Sequence, residues 1–249
     1  FLKNINTYLL RRAIVEADRI VAFSQFSHDL VVKGMNETCS DRVRVIPPGV
    51  EHSWFEVERK PPSGSRLLFW GRLEEEKGLP ELFDALKAVS KKIKDVKLTL
   101  VGEGNRLKEY KTLVADLNLV DRVEFTGWLD NREIQNLVAK SSLGLFPSRI
   151  ESFGLSVVEA MAAGLPVIAA NGGAVPENVK EGGTGMLVPV NDSDTLARAI
   201  ISALESPQRV KSLAKTAKVY VQKKFSWDRA ADSMIDLYQQ ILPAFKGTV

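Results

Sequence analysis

Between residues 67 and 205, short apolar runs and longer amphipathic stretches alternate without a break, and this alternation constrains the fold more than any other feature. The apolar runs at 67–70, 98–101, 123–125, 143–146, 167–170 and 186–188 are the predicted strands. Most are continuously hydrophobic, as expected for strands covered on both faces of a parallel sheet. The stretches near 80–93, 105–118, 131–140, 155–163, 175–180 and 192–205 carry helical periodicity. Strand followed by helix, repeated, implies right-handed crossovers and an α/β fold with a Rossmann-like, doubly wound parallel sheet. Ligands of such sheets bind where strands end and helices begin.

The two ends depart from the pattern. Residues 1–42 hold a helix, one strand at 19–23 and a second helix capped by Ser24 or Ser27, a remnant that cannot form a core alone. Residues 43–225 form the expected complete domain, entered through Pro47-Pro48-Gly49, and 226–249 a terminal helix. The opening helix, with charges after its apolar residues, reads as the middle of a longer protein rather than a signal peptide.

Composition removes several classes of function. The chain has 249 residues, 45% hydrophobic and 26% charged, which is ordinary for a globular protein. Its formal net charge of +3 is too small to imply a nucleic-acid partner. Cys39 is the single cysteine and gives no sign of an oxidising compartment, so a cytoplasmic setting is expected. No apolar run approaches the roughly 20 residues that cross a bilayer. The helix at 207–224 bears six basic residues and no acid. It could touch a membrane surface, but its stripe of Val210, Leu213, Ala217 and Val221 lacks Trp and Phe, which favours core packing.

Four strand ends carry candidate chemistry. Gly71-Arg72 through Lys77-Gly78 puts two cations in a strand-to-helix loop, able to clamp a diphosphate; equally, Glu74, Glu75 and Glu76 could neutralise them in a solvated loop. Gly102-Glu103-Gly104 begins like a dinucleotide fingerprint, but Leu107 stands at the third glycine position, which argues against a nicotinamide cofactor. In Pro147 to Gly164, a strand, a loop with Glu151, Phe153 and Gly154, and a helix start follow in order. The amides near Gly154 and Leu155 make an anion site. Glu159, flanked by Val157, Val158, Ala160 and Met161, is hard to explain as a surface residue and is assigned to a ligand. Gly172-Gly173 before Glu177 could admit a sugar or phosphate, or form an ordinary turn.

Other candidates are set aside. Asp192 and Asp194 resemble a metal pair, but their place before a helix makes them caps. His28 and His52 have no Cys or Asp at ligand spacing, and no Gly-x-Ser-x-Gly elbow is present.

Taken together, the loop Gly71-Arg72 to Lys77-Gly78, Gly102-Glu103-Gly104, Glu151-Ser-Phe-Gly-Leu with Glu159, and Gly172-Gly173 with Glu177 resemble retaining glycosyltransferase family 4 over about residues 19–205. The resemblance implies the C-terminal, donor-binding half of a GT-B fold. Arg72 and Lys77 would hold the diphosphate of a UDP-, GDP- or ADP-linked sugar, with Glu151 on the transferred sugar and Glu159 on the ribose. Gly71, Gly102, Phe153, Gly154 and Leu155 would complete the donor pocket. Backbone near Gly127-Trp128 and Arg149-Ile150 would frame the base. Neither a metal nor any other cofactor is implied. The family's acceptor domain, with its glycine-rich loop, is a missing partner, so a fragment inactive alone is expected. Two alternatives stay open: a nucleotide-sugar epimerase or phosphorylase on the same fold, and a non-catalytic nucleotide-binding module.

Overall fold

The computed structural model describes residues 2–60 and 64–242, with backbone only for residues 2–8. It divides into two units, one formed by Phe1–Gly49 with Phe225–Val249 and the other by Val50–Lys224.

In the first unit, helix α1 (Leu2–Glu16) leads to strand β1 (Ile20–Ala22), helix α2 (Gln25–Gly34) and strand β2 (Val43–Val45). Strands β1 and β2 run parallel, with Ile20 opposite Val43 and Ala22 opposite Val45. Ala22, Cys39 and Val43 make a small core, backed by Ile14, Ile20, Val31, Val32 and Met35. Ser24 caps α2 by accepting from the Ser27 amide, one of the two caps expected. The guanidinium of Arg42 donates to the carbonyls of Val15 and Ala17 at 3.0 and 2.7 Å, tying off the end of α1. The boundary expected at residue 43 therefore moves to residue 50, because Val43–Val45 hydrogen-bonds to β1.

The second unit is the alternating region. Its strands are β3 (Arg66–Trp70), β4 (Lys97–Val101), β5 (Val123–Gly127), β6 (Leu143–Phe146), β7 (Val167–Ala170) and β8 (Met186–Val188). Between and after them come α3 (Leu79–Lys92), α4 (Leu107–Asp116), α5 (Asn131–Ala139), α6 (Leu155–Ala162), α7 (Val175–Asn178), α8 (Ser193–Glu205) and α9 (Pro207–Lys224). Each matches its predicted element to within two residues at either end. All pairings are parallel, in the order β5-β4-β3-β6-β7-β8. The central strands β6 and β7 are buried along their whole length, and β3 from its second residue on, which accounts for their unbroken apolar sequence.

Helix α9 is a core-packing helix. Val210, Ala214, Ala217 and Val221 are buried. Ala214 replaces the expected Leu213, a shift of one position around the helix. Among the described residues no helix is long and apolar enough to cross a membrane. The chain returns to the first unit with α10 (Trp227–Ile241), capped by Ser226. There Gly49 lies so close to Trp227 that a Cβ would sit 2.4 Å from its amide nitrogen.

In this sheet order the chain leaves β3 toward one edge and returns to β6 on its other side. The direction of winding reverses between these two strands. Their carboxyl ends, at Trp70 and Phe146, open a crevice that helices on neither face can fill, which is where such sheets take ligands.

Candidate donor site at the sheet switch point

The loops leaving β3 and β6 are joined across the switch point. The Arg149 amide donates to the Glu76 carbonyl at 2.7 Å. Gly78, at φ 63°, lies where a Cβ would come within 2.2 Å of the Pro147 carbonyl oxygen, so only glycine permits this approach. The ammonium of Lys77 meets Glu151 Oε1 at 2.7 Å, with the two side chains only 13% and 17% exposed. Thus Lys77 is not neutralised by its own loop. It is held across the crevice by an acid 74 residues away.

Arg72 stands differently. It reaches Glu76 at 3.5 Å and its side chain is 76% exposed, so the solvated-loop reading holds for this cation. The loop itself is braced rather than free: Leu73 is fully buried, its amide donates to the Glu103 carbonyl at 2.8 Å, and Tyr110 Oη donates to the Glu74 carbonyl at 3.0 Å.

Arg149 directs its guanidinium to Glu81 at 2.7 Å and Glu75 at 3.8 Å. That pairing raises its pKa, chiefly through the Glu81 hydrogen bond. Its side chain is therefore committed to α3, and what it offers the crevice is backbone. Phe153 is 5% exposed and packs inside, with its carbonyl accepting from the buried Asn178 amide. It positions the loop.

Helix α6 begins at Gly154, which adopts φ 83°, and no side chain caps it. The amides of its first turn, starting at Leu155, are left for another acceptor. Behind them, Gly172 and Gly173 form a backbone wall. The Ala174 amide donates to the Glu151 carbonyl at 2.8 Å. Cβ atoms at Gly172 and Gly173 would come within 2.4 Å of the Arg149 carbonyl oxygen and 2.3 Å of that of Glu151. These glycines leave no room for a sugar between the loops; they seat the Glu151 loop.

At the carboxyl ends of β3 and β4 lies a cavity of about 710 Å³. Trp70, Gly71, Arg72, Gly102 and Trp128 line it, with Asn131 at the start of α5. Trp128, next to Gly127, is 71% exposed, an aromatic face open to a flat ligand. The structure brings together Gly71, Arg72, Gly102 and Trp128 in this cavity, and Lys77 with Glu151 in an ion pair between the loops leaving β3 and β6.

Glu159 joins the cavity wall through Trp70, whose Nε1 donates to Glu159 Oε2 at 3.0 Å. Trp70 stacks on Trp54 at 5.8 Å and meets Phe146 edge-on at 5.0 Å. The sequence reading missed this tryptophan; its place at the end of the central strand, just before Gly71, was the available signal. Burial raises the pKa of Glu159, the Trp70 bond opposes that, and the charge of Glu51 adds to it.

A carboxyl whose folded pKa lies above its unfolded value loses stability as pH rises through that interval, and the loss is complete above the folded value. Glu159→Gln keeps the acceptor for Trp70 and removes this cost. We expect the variant to melt higher than the wild type at pH 7 and the difference to vanish near pH 4, while nucleoside diphosphate binding weakens by about 1.5–3 kcal/mol. Thermal melts across pH with parallel titrations test both signs.

The remaining candidates are structural. Asp192 caps α8 by accepting from the Thr195 amide at 2.8 Å. Among the described residues no three His, Cys, Asp or Glu side chains gather as a metal site requires.

Comparison with known proteins agrees with this geometry. The sequence profile of the family described as glycosyl transferases group 1 matches residues 50–220. D-inositol 3-phosphate glycosyltransferase of Saccharomonospora viridis is 28% identical to 95% of this chain, across 59% of its own length. Glycogen synthase of Mycobacterium tuberculosis is 28% identical to 94% of the chain, across 56% of its length. The chain thus spans little more than half of these curated relatives. Among solved structures, Anabaena Alr3699/HepE in complex with UDP-glucose superposes with a TM-score of 0.85 at 25% identity, covering 95% of this chain and 68% of that one. With this profile spanning most of the chain, and the ligand crevice built from its own strand ends, the protein belongs to the glycosyl transferases group 1 family.

Proposed function

We propose that this chain is the donor-binding part of a glycosyltransferase that moves a sugar from a nucleoside diphosphate to an acceptor with the donor's anomeric configuration kept. The observation that carries the reading is the Lys77–Glu151 pair beside the uncapped start of α6 at the switch point. A nucleoside diphosphate gathers negative charge as it leaves. A fixed ammonium and a helix N-terminus stabilise that charge where it develops, without a metal. When donor binds, Lys77 passes from Glu151 to the diphosphate, and Glu151 is released to the hydroxyls of the sugar. Arg72, exposed in the free chain, folds in as a second cation. Glu159 takes the ribose, and Trp128 with the backbone at Gly127 frames the base. Anabaena Alr3699/HepE, which is crystallised with UDP and with UDP-glucose, supports a nucleotide sugar as ligand.

We propose further that a separate acceptor domain completes the catalytic site, and that the protein is cytoplasmic. The test is calorimetric titration with UDP, GDP and ADP, each with and without magnesium. One of the three is expected to bind with a Kd that magnesium leaves unchanged. Failure of all three to bind at millimolar concentration overturns the reading. An epimerase or phosphorylase would release free sugar or sugar phosphate without acceptor, and a purely binding module would be indifferent to loss of Glu151.

A further inference from the structure

At the other end of the same sheet, where β3, β6 and β7 begin, lies a larger cavity of about 1000 Å³. The length of a strand, on the order of 15 Å, separates it from the switch point. Four cations line it: Arg59, Lys211, Lys215 and Lys218. Among the described residues no carboxylate lines it. The three lysines come from one face of α9, spaced four and three residues apart.

Arg59 is the unusual member. Its Nη2 donates to the Ser141 carbonyl at 2.6 Å, while its Nη1 is buried and has no partner among the described residues. Burial lowers its pKa to about 10, and at neutral pH it stays charged. A buried guanidinium nitrogen without an acceptor costs free energy, and natural structures rarely leave one so unless an ion or water completes it. Lys218 is fixed by donating to the Phe55 carbonyl at 2.6 Å, whereas Lys211 and Lys215 are exposed and free to turn inward. Ser65 adds a hydroxyl at the start of β3, that of Ser142 donating to the Gly64 carbonyl at 3.1 Å, and Leu143 and Leu204 supply apolar wall.

We propose that this cavity is a second anion site, which takes a phosphate monoester on a small organic body. The lysine ammonium groups take the phosphate oxygens beside the charge of Arg59, whose Nη2 stays on Ser141, and the apolar wall takes the body. This inference does not rest on the donor-site reading.

The chemistry is shared by a soluble ester such as glycerol 3-phosphate and by the headgroup of phosphatidic acid. Both are titrated against the chain, the lipid as vesicles beside phosphatidylcholine vesicles, with and without saturating UDP. Glycerol 3-phosphate is expected to bind one to one whether or not UDP is present. K211Q/K215Q is expected to weaken it at least fivefold while leaving the melting temperature and the UDP affinity unchanged. Arg59→Met, checked for folding by its melt, is expected to weaken it further. Binding of phosphatidic acid vesicles alone, lost in K211Q/K215Q, assigns the site to the lipid headgroup. The proposal is overturned if the lysine variant binds as the wild type does, if UDP displaces the ester, if phosphatidylcholine vesicles bind equally, or if neither probe binds. If UDP itself fails to bind, the donor reading fails, and the lysine comparison still decides this one.

Discussion

Lys77→Ala is expected to weaken UDP binding by about tenfold to a hundredfold, the 1.5–3 kcal/mol of a charged hydrogen bond to phosphate. In a full-length enzyme containing this chain, kcat is expected to fall by roughly a hundredfold to a thousandfold, because the proposed role sets that charge against the leaving group in the transition state. The partner acid gives a sign test. Lys77 is held at 2.7 Å by Glu151 in the free chain, so a bare nucleotide has to draw it away. Glu151→Gln removes that competition and is expected to tighten UDP while weakening UDP-glucose, whose sugar hydroxyls exchange a charged acceptor for a weaker neutral one. Unchanged affinity for both ligands in both variants would remove the switch point from the donor site.

Gly173→Ala is expected to destabilise the chain by about 2–4 kcal/mol, near the upper end for a single methyl. Two effects add. The residue sits at φ 59°, where an alanine costs about 1–2 kcal/mol, and its Cβ would lie 2.3 Å from the Glu151 carbonyl oxygen. Relief requires the Glu151 loop to move, so UDP-glucose binding is expected to fall together with the melting temperature, the latter by roughly 5–12 °C. A melting shift under about 2 °C would mean that the loop yields freely and that the close approach does not hold Glu151.

The sheet was legible in the sequence because its strands are buried on both faces, which leaves a signal in each strand by itself. Loop glycines next to charged residues marked the rim for the same local reason. What the sequence withheld is pairing at a distance. Nothing near residue 77 shows that Lys77 belongs to Glu151 rather than to Glu74, Glu75 or Glu76, and the bond from Trp70 to Glu159 spans 89 residues. The short helical turn at His52–Glu56, which brings Trp54 against Trp70, follows from tertiary packing and not from its own periodicity. The division between the units at residue 50, where the domain was expected to start at 43, likewise reflects pairing at a distance: Val43–Val45 hydrogen-bonds to β1.

The glycine contacts between the strand-end loops divide the site into two kinds of position with opposite evolutionary freedom. Gly78, Gly102, Gly172 and Gly173 each stand where a Cβ would come within 2.4 Å of a backbone oxygen, so the frame they make admits almost no variation. Arg72, Trp128 and Asn131 line the cavity together with Gly102. On the proposed reading, one nucleotide base can be exchanged for another at Trp128 and Asn131 while the glycine frame stays unchanged. The same division tells a protein engineer which residues to randomise and which to leave alone.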